Sequence, residues 1–514
     1  MKYDVVIIGG ALAGGAVATL LKRESPELKI LIVEKSEHHG RRVGEATVEV
    51  SGYFLSRVLG LMQYLNETQL LKQGMRFWFA NEKTSSLPEA SEFGPRYNVR
   101  IPSFQLDRAT VDEEVLRRAI AGGAELRRPA NVTRVELSAG GEQVIHLRVG
   151  DTPETVTARW VIDASGFATL LARQNGWRVP NTEHPTAAVW SRWKGVKDWD
   201  GLELQRKFPE WAAQSWGIRG TATNHVIGYG WWSWWIPLKG GDMSVGIVYD
   251  QRLVQFPKDE RPTGERLKDF LMQHPVGKEL IENAEWTEGD VLVRSNLAYS
   301  STTYAGDGFA LVGDAAAFMD PFYSPGMDWL SYTTTAVSKL VAAERRGEPI
   351  APLIDKHNRD FSTSYHRWFS SLYKDKYEYM GDYELMTIAF LLDLGLYYFG
   401  IVSQPFKYGP GALATPPFSP RIAKGFYEFM SFYNARLAAI ARGRRKRGVW
   451  GRQNSHRKYF FGGFLLEKLN LKILSKTFAS YVKLELTEGW RTWFPRTDTE
   501  AIRRARSMVP QKQA

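Results

Sequence analysis

The apolar positions near the N-terminus predict a strand, a turn, a helix and a second strand. Residues 5–8 form a continuous apolar run, residues 9–14 read GGALAG, and the run at 29–34 ends in Glu34. Continuous apolar runs beside turn residues are typical of strands buried on both faces. In such a unit, glycines let the backbone approach a pyrophosphate, and the acid binds a ribose diol. We therefore predict a dinucleotide site that contains Gly9, Gly10, Ala11, Ala13, Gly14 and Glu34, with Ala11 where the fingerprint has its middle glycine.

Two later segments also run from an apolar stretch into small or acidic residues. The run at 160–162 leads to Asp163-Ala164-Ser165-Gly166, and the run at 309–312 leads to Gly313-Asp314. After Asp314, Pro and Gly mark a turn, and a helical pattern continues from about 327 to 344. In an α/β protein this is where anionic groups of a ligand meet a helix N-terminus. An ordinary connection between strand and helix explains each segment equally well on its own.

Taken together, these segments resemble the FAD-binding units of the flavin monooxygenase superfamily. Leu106-Asp107-Arg108, followed by an amphipathic stretch at 111–121, belongs to the same pattern, and all the segments occur in the family's order. The resemblance implies a Rossmann-type FAD-binding domain, in which Gly313 and Asp314 contact the pyrophosphate and ribityl region of FAD. It also adds Arg108 and Asp163 to the predicted cofactor-binding residues. FAD is favoured over NAD because an NAD enzyme does not need the later segments.

Changes in the pattern predict three regions within an α/β fold. Residues 181–290 contain runs typical of antiparallel strands, and from about 346 the pattern becomes helical and aromatic. We predict a discontinuous FAD-binding domain (1–75, 101–175 and 290–345), an antiparallel-sheet substrate region (76–100 and 176–289) and a mainly helical, basic C-terminal region (346–514). The run at 385–402 is the most apolar, but it contains Asp393. We therefore expect a buried helix or an interfacial patch there.

Cysteine content and charge narrow the class of protein. The 514 residues contain no Cys, which excludes disulfides and thiolate metal sites, and we predict no metal site. The net charge is +11, but residues 401–514 alone carry 22 Lys and Arg against 6 Asp and Glu. Such a surface attracts nucleic acid, anionic lipid or an acidic protein, or it is simply solvated. We expect no nucleic acid partner, weak membrane-surface contact at most, and a cytoplasmic protein, because the N-terminal apolar run is too short for a signal peptide.

The most distinctive motif lies in a tryptophan-rich segment. Residues 230–237 read GWWSWWIP, with four Trp in five positions. Aromatic strands also occur in protein cores, so this density alone indicates packing. However, Trp232, Trp234, Ile236 and Pro237 match the WxWxIP motif of flavin-dependent halogenases. With this motif the resemblance narrows to that family.

Three further segments resemble the halogenases. Residues 72–77 (KQGMRF) resemble the segment that carries the family's catalytic lysine, which is Lys72 here. Residues 44–49 (GEATVE) resemble a segment placed against the flavin ring and add Glu45 to the cofactor-binding residues, with Glu49 where a Pro is frequent. The wall beside the flavin and the halide is matched by Phe318, Pro321, Ser324, Pro325 and Gly326.

The resemblance implies a reaction typical of natural product biosynthesis. Halogenases of this family receive reduced FAD (FADH₂) from a separate flavin reductase and use O₂ with chloride or bromide to form hypohalous acid. The family's lysine holds the oxidant by hydrogen bonding, or as a haloamine, and directs it at an electron-rich aromatic carbon. A buried amine suits this role, because burial makes its reactivity tunable. We therefore expect Lys72 to be the catalytic residue.

Tyr323 narrows the expected substrate class. Tryptophan halogenases have a Glu immediately before the serine that Ser324 matches, and that Glu works with the lysine. Tyr323 therefore favours a phenol- or pyrrole-like substrate. If the substrate is tethered to an acidic carrier protein, we expect that carrier to bind the basic run 442–447 (RGRRKR). Three alternatives stay open: an aromatic hydroxylase or other oxidoreductase on this fold, a geranylgeranyl-reductase-like enzyme, and a flavin-binding protein of the membrane surface.

Overall fold

The structure is a computed structural model that describes residues 1–493 except 81, 83, 102, 216, 422, 465 and 467–469. The end of the predicted C-terminal region, residues 494–514, lies outside the described residues. The described part contains two large sheets, two short strand pairs, and helices that cover them. The predicted α/β fold is confirmed.

The first sheet has the N-terminal strand Lys2–Ile8 in its middle. This strand pairs in parallel with Ile30–Val33 on one side and with Thr152–Asp163 on the other. Parallel strands are buried on both faces, and this explains the continuous apolar runs of the sequence. The order of the sheet is Ala305–Gly306, Phe309–Leu311, Thr152–Asp163, Lys2–Ile8, Ile30–Val33 and Glu125–Arg127, with Gln143–Val149 and Asn131–Glu136 added as antiparallel strands.

The second sheet is mainly antiparallel and contains the tryptophan-rich strand Trp231–Pro237. Its order is Glu285–Trp286, Thr186–Lys194, Met243–Asp250, Trp231–Pro237, Thr223–Gly228, Met75–Phe79, Glu92–Pro95 and Lys458–Phe461, and Leu292–Ser295 also pairs with Thr186–Lys194. The strand Lys458–Phe461 comes from the C-terminal region, and its parallel pairing with Glu92–Pro95 attaches that region to the sheet. The sequence pattern did not indicate this strand.

Helices cover both sheets and form most of the described C-terminal region. The α-helices span Leu12–Glu24, Glu49–Tyr53, Met62–Thr68, Arg108–Ala121, Leu170–Gln174, Leu202–Lys207, Pro209–Ala212, Thr263–Met272, Pro275–Ile281, Pro325–Arg345, Ile350–Leu372, Tyr383–Tyr397, Ser403–Tyr408, Ala423–Lys446, Leu471–Leu484 and Trp490–Trp493. The π-helical turns span Phe54–Val58, Tyr398–Val402 and Glu485–Gly489. The 3₁₀ turns span Leu87–Glu89, Gly166–Ala168, Gly313–Ala315, Lys376–Glu378 and Pro410–Ala414.

The apolar run that contains Asp393 forms a helix inside the protein. The helical segment Tyr383–Tyr408 is long and apolar enough to cross a membrane, but 67% of its apolar window is buried. Asp393 forms an ion pair with Lys376 Nζ at 2.6 Å, so its charge is compensated within the fold. This placement fits the predicted buried helix.

Two short strand pairs complete the framework. Arg178–Pro180 pairs with Tyr299–Ser301, and Leu70–Lys72 pairs with Ser103–Gln105. The second pair matters for function, because it fixes Lys72 immediately before the strand Met75–Phe79 of the second sheet.

Candidate active site

The predicted dinucleotide loop lies between the strand Lys2–Ile8 and the helix Leu12–Glu24. Gly9 has a φ of +100°, and a Cβ there would lie 2.6 Å from the carbonyl oxygen of Ala164. A Cβ at Gly14 would lie 1.8 Å from the carbonyl oxygen of Gly9. Only glycine therefore permits this close packing at a helix N-terminus, where backbone N–H groups favour an anion. The loop fits the pyrophosphate of FAD.

Gly313 lies beside this loop, at the end of the strand Phe309–Leu311. A Cβ at Gly313 would lie 3.4 Å from the Cβ of Ala13, so the two turns share one surface. The N–H of Gly313 donates to Thr333 Oγ1 at 2.9 Å and ties the turn to the helix Pro325–Arg345. The carboxyl ends of neighbouring parallel strands thus meet at one site, as is usual for nucleotide binding in such sheets.

Asp314 lies near a cation and has free acceptor capacity. Burial raises the pKa of Asp314 to about 6, and the charges of Arg108 and Arg294 act against this rise. No described residue donates a hydrogen bond to its carboxylate. Arg108 pairs with Asp112 at 2.9 Å and donates to the carbonyl oxygen of Gly44 at 3.3 Å. Oxygens without a protein donor fit the hydroxyl groups of a ribityl chain.

Two of the predicted cofactor acids make hydrogen bonds within the protein. Glu34 accepts from the N–H of Gly10 at 2.7 Å and from the N–H of Ser36 at 2.8 Å. Burial raises the pKa of Glu34, but these N–H groups bring it below its ordinary value. Asp163 is fully buried and accepts from two backbone N–H groups that follow it, at 2.9 and 2.8 Å. Both acids shape the loops of the cofactor site, and their direct contact with FAD stays a prediction.

Glu45 joins the predicted flavin segment to the second sheet. Its buried carboxylate accepts from Arg192 Nη2 at 3.0 Å, and Arg192 also pairs with Asp107 at 3.0 Å. Burial raises the pKa of Glu45 to about 7, although Ser244 and Arg192 lower it. The ion pair positions the segment, and a contact of Glu45 with the flavin stays a prediction.

Lys72 lines an apolar cavity of about 90 Å³. The residue is 2% exposed, and its Nζ donates to the carbonyl oxygen of Thr47 at 2.7 Å. No described carboxylate forms an ion pair with Nζ. Burial lowers the pKa of Lys72 to about 8, whereas Glu49 and Asp328 raise it. Lys72 is therefore a buried amine whose pKa lies well below that of an exposed lysine.

Two carboxylic acids line the same cavity as Lys72. Asp328 is 1% exposed and accepts from the N–H of Ser51 and from the hydroxyl of Tyr397, both at 2.9 Å. Glu49 accepts from the hydroxyl of Tyr398 at 2.6 Å. Burial raises the pKa of Asp328 to about 7 despite its hydrogen bonds. The Lys72 amine and the Asp328 carboxyl, whose pKa values burial shifts to about 8 and about 7, thus line the same cavity.

The predicted halide wall forms a tight turn and a small cavity. Tyr323 and Ser324 have φ values of +68° and +56°, and the N–H of Ser324 donates to the carbonyl oxygen of Pro321 at 3.0 Å. The indole N–H of Trp329 is buried and has no hydrogen-bond partner in the described chain. A cavity of about 10 Å³ is lined by Ala317, Phe318, Met319, Pro325, Gly326 and Trp329.

The tryptophan motif lies behind this wall. Trp232 Nε1 donates to the hydroxyl of Tyr377 at 2.8 Å, and the Trp232 ring packs on Phe322 with 5.1 Å between centroids. Trp234 Nε1 donates to Ser244 Oγ at 3.1 Å. The residues that line the Lys72 cavity in the described chain do not include the motif residues Trp232, Trp234, Ile236 and Pro237. The motif therefore contacts Phe322 and, through this residue, supports the turn that carries Tyr323.

The family described as FAD binding domain matches residues 2–360. The chain belongs to the FAD-binding domain family. The match covers the first sheet and both cofactor turns, so the predicted use of FAD is confirmed.

Similar proteins include flavin-dependent halogenases. Flavin-dependent halogenase chlA from Dictyostelium discoideum is 27% identical over 378 residues, which are 66% of this chain and 60% of the relative. Tryptophan 2-halogenase from Chondromyces crocatus is 27% identical over 369 residues, which are 71% of this chain and 66% of the relative. This chain thus spans 60 to 66% of the length of these two relatives. The resemblance to halogenases that the motifs indicated is confirmed.

A solved halogenase shares the fold over almost its whole length. The crystal structure of halogenase PltM in complex with phloroglucinol and FAD aligns with a TM-score of 0.73 and 19% identity. The alignment covers 95% of this chain and 99% of that chain. The C-terminal helices are therefore part of a fold that PltM also has.

Behind the cavity residue Asp393 lies a second buried lysine, Lys376, that the sequence did not reveal. Lys376 pairs with Asp393 at 2.6 Å, and its Nζ lies 5.0 Å from the centre of the Tyr323 ring. Asp393 also accepts from the hydroxyls of Tyr323, at 3.2 Å, and Tyr433. The sequence feature that could have indicated Lys376 is Asp393 inside an apolar run, because a buried charge needs a partner of opposite charge. The partner itself stands in no recognisable pattern.

The basic run 442–447 is partly used inside the protein. Arg444 is fully buried and pairs with Asp382 at 2.9 Å, Glu384 at 2.5 Å and Glu488 at 2.9 Å. The guanidinium of Arg445 lies 3.4 Å from the centre of the Tyr229 ring. The exposed residues of the run without an ion pair in the described chain are Arg442, Arg445 and Lys446.

Proposed function

We propose that this protein is an FADH₂-dependent halogenase that chlorinates or brominates an electron-rich, phenol- or pyrrole-like ring. The observation that carries the proposal is that the Lys72 amine is buried beside an apolar cavity and forms no ion pair with any residue that the structure describes. Bound FAD, reduced by a separate flavin reductase, would supply hypohalous acid from O₂ and chloride or bromide. Gly9, Gly14, Gly313 and Asp314 would hold the cofactor.

Lys72 would hold the oxidant and direct it to the ring. The bond from Nζ to Thr47 fixes the amine. An ammonium group has three donors, so two remain for the oxidant, and the neutral amine offers a lone pair instead. A pKa of about 8 makes both forms accessible under mild conditions. The apolar walls limit the loss of a reactive oxidant to water.

Asp328 would take the proton that halogenation releases. Transfer of halogen from hypohalous acid to the ring breaks the O–X bond and releases hydroxide, which would take a proton from the Lys72 ammonium and leave as water. The ring loses its hydrogen as a proton, which a base must accept. Asp328 faces the cavity and has a pKa raised to about 7 by burial, which is suitable for a base near neutral pH. Its bonds from Ser51 and Tyr397 hold the carboxylate in place. The carboxyl group that works with Lys72 would thus come from Asp328, in the first turn of Pro325–Arg345. It would take the place of the Glu that tryptophan halogenases have at the position of Tyr323.

The small cavity of the halide wall would accept chloride or bromide. Trp329 lines this cavity together with apolar residues, and its buried indole N–H has no hydrogen-bond partner in the described chain. An unpaired buried donor is costly unless something accepts from it, and a halide is an acceptor. We therefore assign Trp329, with Phe318, Pro325 and Gly326, to the halide side of the reaction.

The substrate class rests on the cavity wall. Tyr323, whose pKa is raised by burial, presents a neutral ring, and Phe390, Tyr397 and Phe464 add further aromatic surface. Halogenase PltM was solved with phloroglucinol, a phenol, whereas the relative from Chondromyces crocatus acts on tryptophan. Tyr323 at the position of the tryptophan-type Glu favours the phenol or pyrrole class.

Turnover of a panel of aromatic compounds tests the proposed activity and substrate class directly. The protein with FAD, a flavin reductase and bromide would be offered phenols, indoles and pyrroles, and products would be identified by mass. Products with the paired isotopes of bromine support the proposal, and bromination of free tryptophan alone would contradict the substrate class. A gain of one oxygen without halide dependence would instead support the aromatic hydroxylase.

A carrier-bound substrate has its own test. The exposed charges of Arg442, Arg445 and Lys446 are the part of the basic run still available to an acidic carrier. If the carrier docks there, turnover of tethered substrate should fall as salt increases, while turnover of the free substrate should not. Salt-insensitive turnover of both forms would exclude this docking mode.

A further inference from the structure

The last described helix carries a row of large apolar side chains on the protein surface. The α-helix Leu471–Leu484, the π turn Glu485–Gly489 and the α-helix Trp490–Trp493 are consecutive. Buried residues such as Tyr481 and Leu484 attach this segment to the protein. The exposed apolar residues are Leu471 (62% exposed), Phe478 (47%), Val482 (38%), Leu486 (73%), Trp490 (52%) and Trp493 (57%), which we call the apolar stripe.

The part of the apolar stripe on Leu471–Leu484 lies along one side of that helix. With 3.6 residues per turn, Leu471, Phe478 and Val482 point within about 40° of one another. The buried side chains of Thr477, Tyr481 and Leu484 lie roughly 110° away on one side. Such a row of exposed side chains contributes little to the folding of the protein, and exposed apolar patches mark interaction sites.

Positive charge follows the other side of the stripe. Lys472, Lys476 and Lys483 are exposed and lie about 120° around the helix from the stripe. The acidic residues between 471 and 493 are Glu485 and Glu488, and both are engaged by arginines of the preceding helix Ala423–Lys446. The outward charge of this segment is therefore entirely positive.

Aromatic residues extend the apolar surface onto neighbouring helices. Phe478 contacts Phe429, with 6.3 Å between ring centroids. Phe399 is 45% exposed and contacts Phe426 at 5.5 Å. The apolar area thus spans several helices.

We propose that this face binds the surface of an anionic lipid membrane. A helix that lies in the interface buries an apolar row in the headgroup region and places lysines towards anionic lipids, and exposed Trp residues prefer that region. Both features are present here on one segment. An acidic protein partner would use the lysines but would leave the stripe in water. A second copy of this chain would bury the stripe but would bring like charges together.

Vesicle sedimentation tests the proposal with the full chain. The protein would be mixed with phosphatidylcholine vesicles with and without phosphatidylglycerol, at low and high salt. We expect binding to the anionic vesicles that weakens as salt increases. Absence of binding to either vesicle, or equal binding to both at every salt concentration, would overturn the proposal.

Matched variants distinguish lipid binding by the apolar stripe from nonspecific binding by other exposed apolar residues. Leu486→Ser should lower the partition coefficient on anionic vesicles about tenfold, since an exposed leucine no longer enters the lipid. Leu202→Ser is the control, because Leu202 is 66% exposed on another part of the surface, and it should leave binding unchanged. If both variants bind alike, the stripe is not the contact.

Charge variants test the anionic lipid directly. Replacing Lys472, Lys476 and Lys483 by Gln should lower binding about a hundredfold. The control replaces three other exposed lysines by Gln, namely Lys35, Lys194 and Lys258. Light scattering without lipid completes the test, since self-association that Leu486→Ser abolishes would identify a second copy as the occupant and overturn the lipid proposal.

Discussion

Replacing Lys72 by Met should stop halogenation and stabilise the fold at the same time. The amine is 2% exposed, and it makes one described hydrogen bond, to Thr47 at 2.7 Å. Its pKa falls from 10.5 to about 8 because burial penalises the ammonium form, and Glu49 and Asp328 compensate only in part. At pH 7 the folded protein therefore holds a charged group that water would solvate better.

The size of the gain follows from the pKa. A shift from 10.5 to about 8 corresponds to ~3 kcal/mol of folding free energy at pH 7. Loss of the hydrogen bond to Thr47 costs about 1 kcal/mol. The Lys72→Met variant should therefore be more stable by ~2 kcal/mol below pH 8. Between pH 8 and 10.5 the unfolded chain binds the proton and the folded chain does not, so wild-type stability rises with pH and the difference shrinks.

Lys376→Met is the matched control. Lys376 is also fully buried, but it is paired with Asp393 at 2.6 Å, and its removal leaves that carboxylate without a cation. Loss of one partner of a buried pair costs about 3–5 kcal/mol, so this variant should be destabilised. Thermal unfolding of both variants and wild type from pH 7 to 10, with FAD content and brominated product measured in parallel, gives the comparison. Halogenated product from Lys72→Met, or equal destabilisation by both substitutions, would refute the reasoning.

Other substitutions test the remaining parts of the site. Gly9→Ala should weaken FAD binding at least tenfold in a fluorescence titration, because the residue has a φ of +100°, whereas Gly40→Ala, with open space around its Cβ, should not. Asp328→Asn should slow single-turnover halogenation by about 10²-fold and remove the rise in rate through pH 7, with FAD still bound. Trp329→Phe should raise KM for bromide about tenfold and leave KM for the aromatic substrate unchanged. An equal rise in both KM values would show that Trp329 acts only through packing.

Local sequence pattern predicted several parts of the candidate site, and the structure places them close together. A continuous apolar run marks the strand Lys2–Ile8, because a strand buried on both faces requires such a run. The glycine loop follows this run, and the turn at Gly313 follows another run of the same kind. The positive φ at Gly9 and Gly313 explains why glycine stands there. Motif spacing also predicted Lys72 as a site residue, and the structure places it at the end of the strand Leu70–Lys72 and in the wall of the cavity.

Contacts across the chain were beyond the sequence pattern. Asp328 bonds to Ser51 across 277 positions, and Glu49 bonds to Tyr398 across 349, so their meeting at one cavity depends on the complete fold. The same holds for Arg444, which stands in a basic run of the sequence but is buried and pairs with three acids. A run of charges in the sequence does not show which of its members face inward.

The helix Pro325–Arg345 has a consequence for protein engineering. Its first turn presents Asp328 to the cavity, and five residues later Thr333 holds the Gly313 turn by a 2.9 Å hydrogen bond. Libraries that vary the first turn to change substrate range will therefore disturb flavin retention as well. Phe390 and Leu394 line the same cavity from a separate helix, so their replacement should change which substrates are accepted while the holoenzyme stays intact.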